Sequence, residues 1–357
     1  MKLINESDGV IMIKYNGIDY TDIYEKLYSV ASYDSHSMGT SLKKYIEMKL
    51  PDILFFDAID EICVIGRYYR ESGLSGKEKN DKPFNFKRPT VTVDNKIAFL
   101  NCYPGVDYVY HYASLIKTYM GIMGFDKKIS VKIPDKYLIE DEINKSNLKE
   151  VPICKTVILG YVEGFDYLSD DRDWKGTGDF QWKTIGNDKI LVGCKHSYWG
   201  DISGYIVDFL AKNGVERVVY IGKLGTLNEK YKPNETIATG SKSIFIDGSS
   251  IEWHNIFDSE KSSLIKKGIH YTLPSIIQES KEWVVNNRNV IDFVDPEIGH
   301  MAKAAVNNNI QFSYLHIVSD NLVKKYDEDL SNERKKQIIR KRKRLIKTIG
   351  KCINNME

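Results

Sequence analysis

The stretch VERVVYIGKLGTL (215–227) is the feature around which the rest of the chain can be arranged. Its first half is apolar and β-branched, which is typical of a strand buried on both faces of a parallel sheet. The sequence then passes into GKLGT (222–226), which predicts a turn at the carboxyl end of that strand. Ligands of open α/β sheets bind at this edge, because the loops leave a crevice there. Gly222, Lys223 and Gly225 are therefore predicted to contact a substrate, although the same spacing also occurs in simple turns.

Composition excludes several classes of protein. Of 357 residues, 42% are hydrophobic and 28% are charged, which is ordinary for a globular protein with a sizeable core. Lys and Arg number 51 against 49 Asp and Glu, so the net charge of +2 favours neither nucleic acid nor a membrane surface. The amino terminus lacks the layout of a signal peptide, and no segment has the roughly 20 apolar residues that span a bilayer. The five cysteines are scattered, which favours a reducing cytoplasm.

Two further stretches give the first one a context. They are FVDPEIGHMAKAA (293–305) and LHIVSDN (315–321). A Gly-rich strand end, a Glu opening a small-residue helix and a strand ending in Ser-Asp, in that order, resemble the nucleoside phosphorylase and nucleosidase superfamily. The separation of Glu297 from Asp320 along the chain (320 − 297 = 23) is similar to that in its trimeric and hexameric branch. The resemblance covers roughly residues 155–349.

The resemblance implies an α/β fold in which helices flank a mixed central sheet in three layers. The catalytic domain would comprise residues 151–357, and residues 1–150 would form an additional α/β or α+β domain of unknown role. The boundary is placed near residue 150 because the charged segment 135–150 is typical of a linker or a surface helix.

The amino-terminal part has its own alternation of strands and helices. Strands are predicted at 61–66 and 96–102, and a Tyr-rich helix at 108–123. The strand, turn and helix over 97–123 parallel those over 190–212. Either the amino-terminal part is a degenerate relative of the second half, or two units of this kind simply look alike.

Two acidic residues are the candidates for breaking an N-glycosidic bond. Asp320, next to Ser319 at a strand end, would donate or share a proton with the departing base. The resemblance implies that Asp320 contacts the purine, and Ser319 is predicted to bind the substrate. Glu297 would hold the ribose hydroxyls as the sugar becomes positive. The alternatives are structural: Asp320 as a helix cap, and Glu297 as a residue that merely suits the first turn of a helix.

The nucleophile is left open between water and phosphate. Phosphorolytic relatives place an Arg two residues before the first Gly, where this chain has Tyr220, and Tyr cannot bind phosphate in the bidentate manner of Arg. Lys223 could supply charge instead. The departure favours hydrolysis, with Glu163 or Asp166 at the end of the strand 156–160 as the base.

Two aromatic residues complete the predicted site. His196 lies in a polar, aromatic turn before a helix, and Tyr271 lies where the family places a wall that stacks on the base. The seven histidines are dispersed and form no metal-binding spacing, so no metal and no cofactor are expected, apart from inorganic phosphate as a possible co-substrate.

The sequence therefore predicts a cytoplasmic enzyme that cleaves the N-glycosidic bond of a purine nucleoside or nucleotide, with hydrolysis slightly favoured. The alternative is a catalytically inactive sensor of such compounds on the same fold. A homo-oligomer is expected from the resemblance, and neither a membrane nor a nucleic-acid partner is. The basic helix after Ser331 is interpreted as a solvated surface with an apolar stripe that includes Ile338, Ile339 and Ile349.

Overall fold

The computed structural model describes residues 42–67, 83–326 and 335–356, together with the backbone of 14–15, 18–19 and 74–75. The helices follow the amphipathic stretches of the sequence. They are α1 Leu42–Lys49, α2 Val106–Met123, α3 Lys136–Lys145, α4 Ile202–Lys212, α5 Lys281–Asn287, α6 Ile298–Asn307 and α7 Lys336–Asn354.

The amino-terminal part of the chain contains a small mixed sheet. The strands of this part are β1 Lys14–Tyr15, β2 Ile18–Asp19, β3 Glu61–Ile65, β4 Leu74–Ser75, β5 Thr90–Asp94, β6 Ile97–Asn101 and β7 Lys128–Lys132. β1 and β2 pair only with each other, and the sheet order is β4-β5-β6-β3-β7. β3 is parallel to both β6 and β7, whereas β5 and β6 form an antiparallel hairpin. The predicted strands at 61–66 and 96–102 and the helix at 108–123 are confirmed as β3, β6 and α2.

The rest of the chain builds one large mixed sheet. Its strands are β8 Thr156–Gly160, β9 Phe180–Ile185, β10 Lys189–Cys194, β11 Arg217–Thr226, β12 Ile237–Thr239, β13 Lys242–Phe245, β14 Ser250–Glu252, β15 Ile265–Lys267, β16 His270–Thr272, β17 Phe293–Asp295 and β18 Gln311–Asn321. β11 is central: it is parallel to β8 and β18, and its last residues pair with β17.

Alternate residues of the central strands face two different layers. Val157 and Leu159 belong to one hydrophobic cluster, which also contains residues of α2, α4 and α6. Ile158 between them belongs to a second cluster, which contains Leu345 and Ile349 of α7. Helices therefore cover both faces of the sheet, and the predicted three-layer α/β class with an additional amino-terminal α/β unit is confirmed.

The two sheets share a continuous core. The first cluster contains Leu100 of β6 and Val109 of α2 together with Val192 of β10 and Ile206 of α4. The segment 135–150 forms α3 and a short 3-10 helix on the surface of this core. The division of the chain into domains of residues 1–150 and 151–357 stays a prediction.

One local prediction at the organising stretch is wrong. Residues 222–226 do not form a turn but continue β11 without a positive φ. The antiparallel pairing of Gly225 with Val294 of β17 holds this end of β11 in the sheet. The role of Gly222 is close approach, since a Cβ there would lie 2.5 Å from Nε2 of His316.

The basic carboxy-terminal helix packs through one stripe. Ile338 and Ile349 are buried in α7, but Ile339 is 45% exposed, so its predicted place in the stripe is wrong. Ser331, predicted to cap this helix, lies outside the described residues. In the described parts of the chain, no helix has the length and apolar character needed to cross a bilayer.

Candidate functional site

A cavity opens where β8, β10, β11 and β18 reach their carboxyl ends. Its volume is about 240 Å³, many times the roughly 10–15 Å³ that one water occupies, so it accommodates an organic ligand. The predicted site residues that line it are Glu163, His196, Gly222, Lys223, Gly225, Glu297, Ser319 and Asp320. The sheet therefore brings together eight of the ten residues singled out in the sequence, although they are widely separated along the chain.

The other two predicted residues lie elsewhere. Asp166 is 53% exposed in the short 3-10 helix Glu163–Leu168, where its carboxylate pairs with Lys183 Nζ at 2.8 Å. Tyr271 packs against Trp283, with ring centroids 5.4 Å apart, and it is not among the cavity residues. Glu163 has a buried Oε2 at the cavity and is the better placed of the two candidate bases.

Glu297 is held at the start of α6. Its side chain is buried, and Oε2 accepts a hydrogen bond from the hydroxyl of Tyr220 at 3.3 Å. Burial raises the pKa of Glu297 well above its usual value, and the negative charge of Asp295 raises it further. Both effects disfavour the ionised form of Glu297. Tyr220, which replaces the expected Arg, is a partner of Glu297.

Asp295 carries the negative charge of this part of the site. Its Oδ1 accepts hydrogen bonds from the backbone N–H groups of Glu297 and Ile298, both at 2.9 Å, and so fixes the first turn of α6. Burial alone would raise the pKa of Asp295, but two flanking histidines outweigh it and hold the pKa well below its usual range. His270 Nε2 lies 3.1 Å from Oδ1, and His316 Nε2 lies 3.5 Å from Oδ2.

Asp320 is aimed by an irregularity in the sheet. Along the β11–β18 pairing, Leu224 faces Val318 but Gly225 faces Asp320, so Ser319 is an extra residue in β18. Bulges of this kind redirect side chains next to functional sites. The Ser319 hydroxyl lies 2.9 Å from Asp320 Oδ1 and 3.2 Å from the Leu224 carbonyl oxygen. Ser319 thus ties Asp320 to the adjacent strand.

His196 lines the cavity but is held from behind. Its Nε2 lies 3.1 Å from Asp179 Oδ1, and its ring stacks on Tyr103 with centroids 4.3 Å apart. Burial alone would raise the pKa of Asp179, but the hydrogen bonds and charges of His196 and Lys87 lower it well below its usual value. His196 therefore lines the cavity with its ring held in position by Asp179 and Tyr103.

One wall of the cavity, contributed by the part of the chain that precedes β5, was not predicted from the sequence. Tyr45 and Lys49 of α1, and Phe84, Asn85 and Arg88 before β5, all line the cavity. Local patterns gave no signal for them, because helix α1 and the segment before β5 carry no motif of their own. Asp295 did have a signal, as a carboxylate two residues before Glu297, and His316 lies on the strand that contains Asp320.

No metal centre emerges from the described residues: they contain no group of three or more His, Cys, Asp or Glu side chains placed to hold an ion. The expectation that the protein needs no cofactor stays a prediction.

Comparison with known proteins gives partial matches. No family model matches the chain. A curated protein of the fungus Cordyceps militaris, the oxidoreductase cns1, is 25% identical over 261 residues, which cover 62% of this chain and 32% of that protein. The chain therefore spans about a third of the length of this relative.

Solved structures resemble a little more than half of the chain. The 5'-methylthioadenosine/S-adenosylhomocysteine nucleosidase of Campylobacter jejuni is 14% identical, with a TM-score of 0.46 over 57% of this chain and 100% of that one. Futalosine hydrolase of Helicobacter pylori strain 26695, in a mutant form, is 16% identical, with a TM-score of 0.44 over 57% and 97%. The nucleosidase of Neisseria meningitidis, in complex with methylthio-immucillin-A, is 12% identical, with a TM-score of 0.44 over 57% and 100%. These neighbours belong to the superfamily that the sequence motifs resemble.

Proposed function

We propose that the protein cleaves the N-glycosidic bond of a purine nucleoside or nucleotide, with water as the favoured nucleophile. The observation that carries the proposal is the meeting of Glu163, Glu297 and Asp320 in one cavity. Glu163 and Glu297 follow the ends of β8 and β17, and Asp320 lies near the end of β18. Each has a side-chain oxygen suited to a different part of the reaction.

The proposed reaction begins with loss of the base. The bond between the sugar C1' and the base nitrogen breaks with its electron pair going to the base, and Asp320 donates or shares a proton with that base. General acid assistance of this kind is typically worth about 10²- to 10⁴-fold in rate. Water then adds to C1', and Glu163 accepts the proton that the water loses, so the products are the free base and the free sugar.

Glu297 is proposed to stabilise the sugar as positive charge develops on it. Burial raises the pKa of Glu297 and so disfavours its ionised form. A developing cation beside it favours the ionised form, which makes the interaction stronger in the transition state than in the ground state. The Tyr220 hydroxyl already donates to Glu297 and makes that ionisation less unfavourable.

Water is favoured over phosphate because Tyr220 stands where an Arg would be expected and is engaged with Glu297. Three cations keep phosphorolysis as the second candidate, since Lys49, Arg88 and Lys223 all line the cavity. Lys and Arg side chains are the usual protein ligands of phosphate. A purine base, a cytoplasmic location and a homo-oligomer remain parts of the proposal.

The Asp320→Asn variant tests whether the protein is an enzyme or a sensor. An amide cannot donate the carboxylic proton, so we expect base release from the best substrate to fall about 10²- to 10⁴-fold. Ligand binding, measured by calorimetry, should persist, because the substitution preserves size and shape. If the wild-type protein binds the ligand but releases no base, the protein is a sensor and the proposal of an enzyme is rejected.

A further inference from the structure

The small amino-terminal sheet repeats part of the large one. We define the first unit as residues 61–132 and the second unit as residues 156–226. The first unit runs through β3, the β5–β6 hairpin, α2 and β7, which have the sheet order β5-β6-β3-β7, and the two-residue strand β4 extends this sheet beside β5. The second runs through β8, the β9–β10 hairpin, α4 and β11, and its order is β9-β10-β8-β11.

The hydrogen-bond register of the two units also agrees. In the first unit the opening residue of β3, Glu61, pairs with the opening residues of both β6 and β7. In the second unit Thr156 opens β8 and pairs with the opening residues of both β10 and β11. Right-handed crossovers are nearly universal, so a shared topology alone would be weak evidence of duplication. The shared register adds an independent match.

The two units contact each other reciprocally at the amino-terminal ends of α2 and α4. The Asp201 carboxylate accepts hydrogen bonds from the backbone N–H groups of Val106 and Asp107, both at 3.1 Å. In return, the Asp107 carboxylate accepts one from the backbone N–H of Asp201 at 3.1 Å. Each helix therefore carries an acidic group that caps the other. Reciprocal contacts of this kind are the mark of a two-fold relation between two copies.

Only the second unit reaches the candidate site with its last strand. β11 continues beyond Ile221, its last partner of β8, and the added residues 222–225 line the cavity. In the first unit β7 ends at Lys132, and the ring of Pro134 then packs against Gly66. A Cβ on Gly66 would lie 2.5 Å from the Pro134 Cδ, so the corresponding edge of the first unit is filled by protein.

The first unit instead supplies a wall to the cavity of the second. The backbone N–H groups of Asn85 and Phe86 donate to the carbonyl oxygens of Cys194 and Lys195, at 2.8 and 3.0 Å, so this segment extends the end of β10. Arg88 Nη1 donates to the Asn85 carbonyl oxygen at 2.7 Å, which fixes a largely buried guanidinium at the cavity.

We propose that the first unit is a non-catalytic copy of the second that completes the substrate site within the same chain. Arg88 is then a positioning residue for the substrate, and one chain holds one complete site. The inference rests on the proposed function, because the assay that tests it measures base release.

Complementation between two variants tests the inference. Asp320→Asn removes the proposed acid from the second unit, and Arg88→Ala removes the charged wall residue from the first. We expect Arg88→Ala to raise KM at least tenfold with a smaller change in kcat. When differently tagged copies of the two variants are co-expressed and purified together, we expect no base release beyond the sum of the separate proteins. Recovery of activity in the mixture would overturn the inference, because the wall would then come from another chain.

A matched control separates the wall from general damage to the first unit. Lys96 lies in the same unit, is exposed and pairs with Asp60 outside the cavity, so Lys96→Ala should retain wild-type KM. Equal KM values for Arg88→Ala and Lys96→Ala would contradict the inference. Should Arg88→Ala fail to fold, Asn85→Ala takes its place in the same comparison.

Failure of the proposed function would look different. In that case the wild-type protein releases no base, and the same variants are compared by calorimetric binding of adenosine and adenosine 5'-monophosphate. One bound ligand per chain, weakened by Arg88→Ala and not by Lys96→Ala, would support the inference without turnover. Half a ligand per chain would contradict it.

Discussion

At the scale of single residues, the structure ranks two carboxylates that the sequence leaves equal. Glu163 and Asp166 lie in one short 3-10 helix, and either could have faced the site. Lys183 on β9 binds Asp166 at the protein surface, whereas Glu163 lines the cavity. The choice depended on a cation from a different element of the chain, which no local pattern relates to either carboxylate.

We therefore predict that Glu163→Gln and Asp166→Asn differ in their effect on turnover. Loss of the proposed base should lower kcat by about 10²-fold or more, because Gln cannot accept the proton of the attacking water. The Asp166→Asn variant should keep a kcat within about threefold of wild type, since Asp166 lies outside the cavity. Steady-state rates of base release measure both. Equal losses in the two variants would reject the assignment of the base.

Tyr220 gives a second prediction at this scale. Tyr220→Phe removes the hydrogen bond to Glu297 and leaves the ring in place. Hydrogen bonds to charged groups are worth about 1.5–3 kcal/mol, so kcat/KM should fall about 10- to 100-fold. Because the Tyr220 hydrogen bond lowers the pKa of Glu297, its loss should also shift the pH dependence that Glu297 imposes on kcat/KM toward higher pH. A profile that keeps its wild-type position would show that Tyr220 does not act through Glu297.

At the scale of elements, the meeting of α2 and α4 places acidic groups side by side. Burial raises the pKa of Asp201 to about 7, and the neighbouring Asp107 carboxylate adds to the shift, while His300 opposes it. Burial alone would lower the pKa of His300, but its 2.9 Å contact with Asp107 outweighs burial and raises it. The junction between the two units therefore holds protons in the folded state that the unfolded chain releases.

The stability of the protein should respond to pH through this junction. Between about pH 4 and 7 the folded chain keeps a proton on Asp201 that the unfolded chain, with an ordinary Asp pKa of 3.8, has lost. The free energy of unfolding therefore decreases as pH rises through this range, and His300 contributes in the same direction.

We predict that Asp201→Asn flattens this dependence, because the amide does not titrate, while its one oxygen can still accept one of the two backbone hydrogen bonds from α2. The difference in unfolding free energy between pH 5 and pH 7.5 should shrink by about 1 kcal/mol or more, since one pKa unit corresponds to about 1.4 kcal/mol. Urea unfolding of the two proteins at both pH values measures it. An Asn variant with the full wild-type slope would exclude Asp201 as its source.

The elements themselves were largely predictable from the sequence. α4 begins and ends as its apolar spacing indicates, from Ile202 to Lys212, and β8 follows its β-branched run. The extended conformation of residues 222–226 was not predictable from the sequence, because glycines normally mark turns. Here strand β17, which lies far along the chain, pairs with Gly225 and Thr226 and keeps them extended. Pairing with so distant a segment overrides local propensity.

At the scale of the whole molecule, the sequence carried only a faint sign of the repeat. The parallel between 97–123 and 190–212 is a pattern of one strand, one turn and one helix. The evidence for two copies lies in register and in reciprocal hydrogen bonds between Asp107 and Asp201, which involve backbone groups. Backbone hydrogen bonds do not depend on the type of side chain. The two copies therefore remain recognisable in the structure after their side chains have diverged.

The same divergence explains why some residues of the site could not be predicted from the sequence. Glu297, Ser319 and Asp320 sit in motifs that resemble a known superfamily, and those motifs found them. Arg88 and Lys49 sit in a part of the chain to which that resemblance does not extend. Arg88 reaches the cavity because the first unit packs against the second, and Lys49 reaches it from the end of α1.

The central claim is tested most directly by incubating the protein with purine and pyrimidine nucleosides and nucleotides, each with and without inorganic phosphate, and resolving the products by chromatography. We predict release of a free purine base that is independent of phosphate, accompanied by free sugar or sugar 5-phosphate. Release that requires phosphate and yields a sugar 1-phosphate would contradict hydrolysis, and an absence of any base release would contradict N-glycosidic cleavage of these compounds altogether.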